Sequence, residues 1–408
     1  IYAREAPKHS SFYKWAWGKH YSDLYCIPIT ARTTSLDSLS GGLYTTKLIP
    51  SLHSIVLTDN RQNNFLLKPL GGSSSFMESK FFSDVYRVED FKGTYLNDFI
   101  TEAYTIIHPY MFIVSENLAK STGLSTSEPH IFYVAECSNN DTISDGTLIE
   151  NKLVSISKLP DTETENVISD ENELLDILHQ DNLIKVDQKT YIKTRLFDML
   201  IGDWNKVSEN WYWIRSIKGD SIVYYPHVFD RSHAFSKVDG VLFKELLNML
   251  GVGFISNYDK QLKNVKKINS LAYALDIAVT QQSNESAWVA EARNIKRELT
   301  DKEIDLAFAE LPEEMQNDET KILKENLKSR RNDLENIARK YYTYMQKTPV
   351  ITGTERDDRF VIEQDKKKNL RIRIYNRQTN KQTFDKTYNR KHTKEIWIYS
   401  LAGNDIFE

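Results

Sequence analysis

The sequence predicts an α+β chain with a β-rich front, a long helical middle and a small β-rich end. Three observations carry this expectation. Two strand-like segments, Ser54 to Leu57 and Phe65 to Pro69, flank turn text rich in Asn and Asp. From Leu242 to Tyr344 apolar residues recur at helical spacing, and after Lys347-Thr348-Pro349 the pattern switches to period two. The expected divisions are 1–137, 138–348 and 349–408.

The 408 residues, 40% of them hydrophobic, can fill two or three cores. A net charge of -4, from 53 basic and 57 acidic side chains, argues against a dedicated nucleic-acid or anionic-membrane binder and leaves local basic patches open. Lys263 to Lys267 and Lys386 to Lys394 read as solvated faces. No apolar run is long enough for a transmembrane helix. Cys26 and Cys137 are too few for a disulfide framework and read as free, buried thiols. The chain opens on Ile1 and ends at Glu408 just inside a strand, so the expectation is a removed N-terminal segment and a natural chain that continues.

Residues Tyr25 to Thr30 read as the first strand. Gly41 and Gly42 follow, then Lys68 at the end of a strand. A glycine pair lets backbone N–H groups approach phosphate, and a strand lysine can set its ammonium against phosphate oxygens. The same residues also read as an ordinary turn and as edge protection. Tyr95 to Ile107 has one apolar face, with Glu102 off it reading as a solvated helical glutamate, and His108-Pro109 ends it. Tyr110 to Thr122 reads as a helix closed by Gly123, His130 to Glu136 as a strand, and 138–181 as a polar insertion around a strand at Lys152 to Lys158.

The stretch from Arg195 to Phe235 organises the chain. Leu196, Phe197, Met199, Leu200 and Ile201 read as the buried end of a helix that Gly202 stops. Asp203, Asn205 and Asn210 lie in the following loop. Trp211 to Ile217 and Ile222 to Val228 read as a hairpin around Lys218-Gly219-Asp220, which folds Asp230 back toward Asn210. Side-chain oxygens converging from two loops suit a divalent cation that carries phosphate. His227 and His233 flank Asp230 and read equally as ligands and as hydrogen-bonded loop residues.

GDWNKVSENW followed by FDRSHAF resembles the catalytic and metal loops of atypical protein-kinase-like enzymes, namely type II phosphatidylinositol 4-kinases, HipA toxin kinases, CotH spore-coat kinases and secretory-pathway Golgi kinases. That likeness implies a two-lobed kinase-like fold with a β-rich N-lobe, a helical C-lobe and a C-terminal β appendage. It also implies ATP with Mg2+ or Mn2+ between the lobes, Asn210 and Asp230 on metal, Gly41, Gly42 and Lys68 at the nucleotide, and Glu102 paired with Lys68. The departure is Asn205, where those families carry the catalytic aspartate, with Lys206-Val207 in place of Arg-His. An amide accepts no proton. Phosphoryl transfer depends mostly on positioning and charge neutralisation, so some turnover can survive that loss. Asp203, two residues upstream, is the available substitute.

Helices are expected at Glu171 to His179, Gln188 to Leu200, Phe243 to Leu250, Val265 to Val279 and Ser286 to Leu299. A capping box at Thr300 to Glu303 starts Ile304 to Leu311, and Asp318 to Met345 follows. Strands are expected at Asp358 to Glu363, Leu370 to Tyr375, Thr383 to Thr387 and Glu395 to Tyr399. GTERDDRF and LAGNDIF look like half of a calcium-binding nonapeptide repeat, and turns using Asn and Asp explain them equally.

A second resemblance spans nearly the whole chain. GGLYTTKL, FLLKPL, FKGTYLNDF, the HPY of IIHPYMF, RLFDMLIGDW, LTDKEIDLAFAELPEE, GTERDDRF and TKEIWIYSLAGNDIF look like a region of Gram-negative envelope proteins, found beside a calcineurin-like phosphoesterase or before an outer-membrane barrel. It implies an exported, periplasmic or outer-membrane-associated protein with an envelope partner. The expected function is a kinase-like protein that binds Mg-nucleotide, with an unassigned acceptor and no nucleic-acid partner. The alternatives are a non-enzymatic envelope scaffold or pseudokinase, and a carbohydrate or peptide binder using Trp204, Trp211 and Trp213.

Overall fold

The computed structural model describes residues 1–5, 9–49, 54–71, 94–135, 149–160, 166–207 and 210–408. Cys137, the end of the strand expected to reach Glu136, and the expected division after 137 lie outside them. The architecture is mixed α+β. A six-stranded sheet has the order β1-β5-β6-β4-β3-β2. Its strands are β1 (Arg32–Thr34), β2 (Tyr44–Ile49), β3 (Ser54–Asp59), β4 (Asn64–Pro69), β5 (His130–Val134) and β6 (Lys152–Leu159). The β3–β4 hairpin forms where the sequence places it. Asp59 accepts the backbone N–H groups of Arg61 and Asn63, and Gln62 takes a positive φ of 63°. β6 completes this sheet from beyond residue 137 by pairing with both β4 and β5.

A second sheet, β7-β9-β10-β8, contains β7 (Val167–Ile168), β8 (Ile184–Val186), β9 (Trp211–Lys218) and β10 (Ser221–Val228). The expected hairpin is its centre, turning at Gly219 with φ 59°. Trp211 and Trp213 stack with Tyr191 beneath it. With Trp204 they are buried, so none presents a ring to a carbohydrate or peptide.

The helix Gln188–Ile201 runs through the main core, and every residue from Arg195 to Ile201 is buried. Gly202 ends it with φ 74° and donates its N–H to Asp198. The long helix Asp318–Met345 has the bounds its periodicity predicts, and its stripe Leu323, Leu327, Leu334, Ile337, Ala338 and Tyr341 enters the same core. Two expectations need correction. The helix expected over Val265 to Val279 is broken into Val265–Ile268 and Tyr273–Thr280, because Asn269 turns its amide onto Val265 O and Arg195 instead of continuing the ladder. The strand expected at Tyr25 to Thr30 is a short helix, Ser22–Tyr25, followed by an irregular segment. Tyr25 is buried there and bonds Ile107 O, and Pro28 has no N–H for a ladder.

After residue 349 come two more sheets. β11 (Val350–Thr352) pairs with β15 (Trp397–Tyr399). β14 (Gln382–Tyr388), β13 (Leu370–Asn376), β12 (Asp358–Gln364) and β16 (Ile406–Phe407) lie in that order. They enclose their own core of Ile351, Phe360, Ile372, Ile374, Phe384 and Tyr388. Among the described residues no helix is long and apolar enough to cross a membrane.

Candidate functional site

The face alternation of β4 determines where Lys68 points. Leu67 enters the inner core of the first sheet, so Leu66 and Lys68 share the opposite face. Leu66 packs there against Leu159 and Phe229, the residue before Asp230. That apolar contact brings the acidic turn after β10 against β4. Lys68 Nζ consequently lies 2.8 Å from Asp230 Oδ2 and 2.8 Å from Ser232 Oγ.

The base of the β9–β10 hairpin brings in the second loop. Trp211 pairs with Val228, and Asn210 O accepts from Phe229 N at 3.4 Å, which sets Asn210 beside the start of the acidic turn. Asn210 Nδ2 donates to Asn205 O, while its Oδ1 is buried with no hydrogen-bond partner among the described residues. Asn205 Nδ2 lies 3.4 Å from His233 Nδ1, which is also 3.4 Å from Ser232 Oγ. Lys68, Asp230, Ser232, His233, Asn205 and Asn210 thus form one connected polar cluster.

Burial and pairing set the charges. Burial pushes the Asp230 carboxyl up, but Lys68, His233 and Ser232 outweigh it and hold it well below the usual aspartate range. Burial works against the Lys68 ammonium, and the Asp230 carboxylate overrides it, so Lys68 is raised. His233 is pulled down to about 3 by burial, Asp230 opposing and Lys68 and Lys206 assisting. The ring is neutral at pH 7, and its Nδ1 lies between the Asn205 amide and the Ser232 hydroxyl.

Behind the cluster lies a buried ionic framework. Arg195 bonds Asp276 and Asp198, Tyr191 and Tyr341 donate to Asp276, and Arg231 bonds Glu116. Lys206 Nζ bonds Asp203 and sits 3.8 Å from Asp198. Burial and the nearby Asp198 raise Asp203 to about 6 against the lowering effect of Lys206. Asp203, the expected substitute for a carboxylate at residue 205, is therefore buried and bound to a lysine.

Other expected site residues stand apart. The N–H groups of Gly41 and Gly42 both bond Asp37 O, capping the helix Leu36–Ser40 at the start of edge strand β2. Through Tyr44↔Asp59 and Ile55↔Leu67 the register puts them at the opposite end of the sheet from Lys68, on the order of 20 Å away. Glu102 is paired with Arg4 at 2.6 Å, not with Lys68. In the C-terminal turns Asp357 Oδ1 accepts Asn404 N, and Asp405 Oδ1 accepts Asp358 N, so these carboxylates hold backbone. Among the described residues no group of three or more His, Cys, Asp or Glu side chains has metal-holding geometry. The cavity against Lys68 and Asp230, lined also by Tyr104, His108 and Phe112, offers about 40 Å³, room for a few waters and not for a nucleotide.

Sequence reasoning missed Ser232 and left Lys206 without a role, while His233 takes the hydrogen-bonded one of its two expected roles. All three stand in FDRSHAF and GDWNKVSENW, and the unbroken polar run Asp230 to His233 between apolar residues is the usable signal for Ser232.

No protein-family model matches the chain, and no curated protein matches it. Among solved structures it is similar to the crystal structure of a Helicobacter pylori proinflammatory kinase, CtkA. The two share 14% sequence identity over 74% of this chain and 97% of that one, with a TM-score of 0.34.

Proposed function

We infer that this protein is kinase-like and two-lobed, binding Mg- or Mn-nucleotide between the first sheet and the β9–β10 hairpin, with weak or absent phosphotransfer. The observation that carries this reading is the Lys68–Asp230 contact, which joins a strand lysine to the turn after a hairpin whose other end supplies Asn210. Lys68 would give its ammonium to phosphate oxygens. Asp230 and Asn210 Oδ1, which has no hydrogen-bond partner among the described residues, would offer hard oxygens to the cation, whose remaining positions go to phosphate and water. Asn205 or Asp203 would orient an acceptor hydroxyl. Asn205 is an amide and accepts no proton, and the Asp203 carboxylate would have to leave Lys206 before it could take one. Nucleotide entry requires the two sides of the small cavity to separate. An exported, envelope-associated setting belongs to the same proposal, and fractionation of the native host checks it.

Thermal unfolding with ATP and MgCl2 or MnCl2 tests the assignment. A raised melting temperature that Asp230→Ala abolishes supports it. No shift with any nucleotide overturns it and leaves the second reading, a non-catalytic scaffold. The amide at 205 and the lysine-bound Asp203 favour that second reading.

A further inference from the structure

The charge of this chain is unevenly divided. Residues 349–408 carry 13 Lys and Arg against 9 Asp and Glu, a net +4, whereas the whole chain is -4, which leaves -8 on residues 1–348. Most arginines on the outer face of the C-terminal sheet are neutralised: Arg371 by Asp385, Arg373 by Glu363 and Arg359 by Glu408. The excess positive charge is at one end. β12 finishes where β13 begins, at Gln364↔Leu370, and Leu370 also pairs with Tyr388 at the end of β14. The turn after β12 and the loop after β14 are therefore neighbours. The first carries Lys366, Lys367 and Lys368, and the second carries Arg390, Lys391 and Lys394. All six are exposed, and among the described residues none has an ion-pair partner.

The turn does not need those lysines. Asp365 takes the N–H groups of Lys367 and Asn369 and the Asn369 amide, and Lys368 has φ 63°. Asp59 makes the same three bonds with Arg61 and Asn63, with φ 63° at Gln62. The equivalents of the three lysines there are Asn60, Arg61 and Gln62, so one scaffold exists with one cation and with three. Two acids lie among the six cations and keep their charge, which leaves this end at a net +4. Asp365 builds the turn, and Glu395 accepts the indole N–H of Trp397. Lys394 N and Trp397 N bond Lys347 O and Pro349 O on one segment, and along β15 Trp397 and Tyr399 are both about half exposed. Exposed cations on two neighbouring turns, with the half-exposed Trp397 three residues after Lys394, match the headgroup layer of an anionic bilayer, where Lys and Arg meet phosphates and Trp and Tyr sit at the boundary. Turn tips at one end of a sheet meet a plane, whereas a nucleic acid binder tracks the phosphate backbone along a groove.

We propose that this end of the C-terminal sheet docks on a membrane surface rich in anionic phospholipid. The docking is peripheral and electrostatic, and it is independent of the nucleotide reading.

Co-sedimentation of the full chain with phosphatidylcholine vesicles, with and without phosphatidylglycerol, tests this across a salt series. Binding only to the anionic vesicles, weakening as salt rises, is the expected result. Lys366→Ser/Lys367→Ser/Lys368→Ser should weaken it on the order of 100-fold, about fivefold per charge. Arg390→Gln/Lys391→Gln is a second, independent variant and should weaken it on the order of 20-fold. Thermal unfolding of both variants checks that the chain folds. No binding, equal binding to neutral vesicles, unchanged binding by a folded variant, or tighter binding to a DNA duplex than to the anionic vesicles would each overturn the proposal.

Discussion

Lys68 Nζ and Asp230 Oδ2 stand 2.8 Å apart although 162 residues separate them in the chain. The contact fastens the first sheet to the hairpin, and both side chains are largely withdrawn from solvent. Each is the other's compensation for lost hydration.

Breaking that pair from either side should therefore be costly. Lys68→Met or Asp230→Asn alone is expected to destabilise by about 3–5 kcal/mol, because a charge is left buried and unpaired. The double variant should cost less than the sum. Urea unfolding of the four proteins gives the coupling directly. Its pH dependence has a definite sign, since the folded Asp230 pKa is depressed below its ordinary 3.8. The contribution is complete above that value and is lost as pH falls toward the lower folded pKa. The stability gap between wild type and Asp230→Asn should be flat around neutral pH and should narrow only below about pH 4. A gap that closes near pH 6 would point to another group.

Asn205→Asp tests what the amide costs. The new carboxylate would share its surroundings with Asp203 and Asp230, so without divalent cation the variant should be less stable by about 1–2 kcal/mol. Mg2+ with ATP should raise its melting temperature more than that of wild type, and phosphate release from labelled ATP should appear or increase. A variant that binds nucleotide and stays inactive would show that the fault lies beyond residue 205.

The parts of this site that were legible in the sequence are those set by local rules. Gly202 stops its helix because a left-handed cap needs no Cβ, and the hairpin turns at Gly219 for the same reason. Helix Asp318–Met345 was readable because a 3.6 period sustained over 28 residues leaves little ambiguity. Partner choice was not readable. Glu102 has the spacing of a helical acid facing a lysine strand, yet Arg4 reaches it from the N-terminal segment. Gly41 and Gly42 carry the composition of a phosphate loop, but their N–H groups close a short helix. Such pairings depend on which surfaces meet, and here the decisive meeting is Leu66 with Phe229.

The ionic framework behind the site should be rigid and intolerant of partial removal. Asp276 accepts from Arg195, Tyr191 and Tyr341, tying three helices together. Asp276→Asn would leave the Arg195 guanidinium underpaired in the core and is expected to cost about 3–5 kcal/mol in urea unfolding. Tyr341→Phe removes a single donor and should cost about 1–2 kcal/mol. Equal costs for the two would mean that the carboxylate's charge is not what matters.

Two glycines with the same backbone conformation separate strain from packing. Gly202 and Gly251 both have φ 74°. A Cβ on Gly251 would meet nothing within 4 Å, so Gly251→Ala should cost only the left-handed penalty, about 1–2 kcal/mol. A Cβ on Gly202 would lie 2.7 Å from Tyr258 Cδ2 and 3.1 Å from Arg330 Nη1. Tyr258 is buried, bonds Leu200 O and lies under the Arg330 guanidinium, so the ring has little room to retreat. Gly202→Ala should therefore cost a further ~1–3 kcal/mol beyond Gly251→Ala. Because Asp203 follows directly and donates its N–H to Asp198 O, the strain enters the loop that carries Asn205 and Asn210. The variant should lose nucleotide-induced stabilisation as well as stability, and Gly251→Ala should keep it. Paired thermal unfolding curves, with and without ATP and Mg2+, read both effects, and an equal loss of ligand response in the two variants would detach the helix cap from the site.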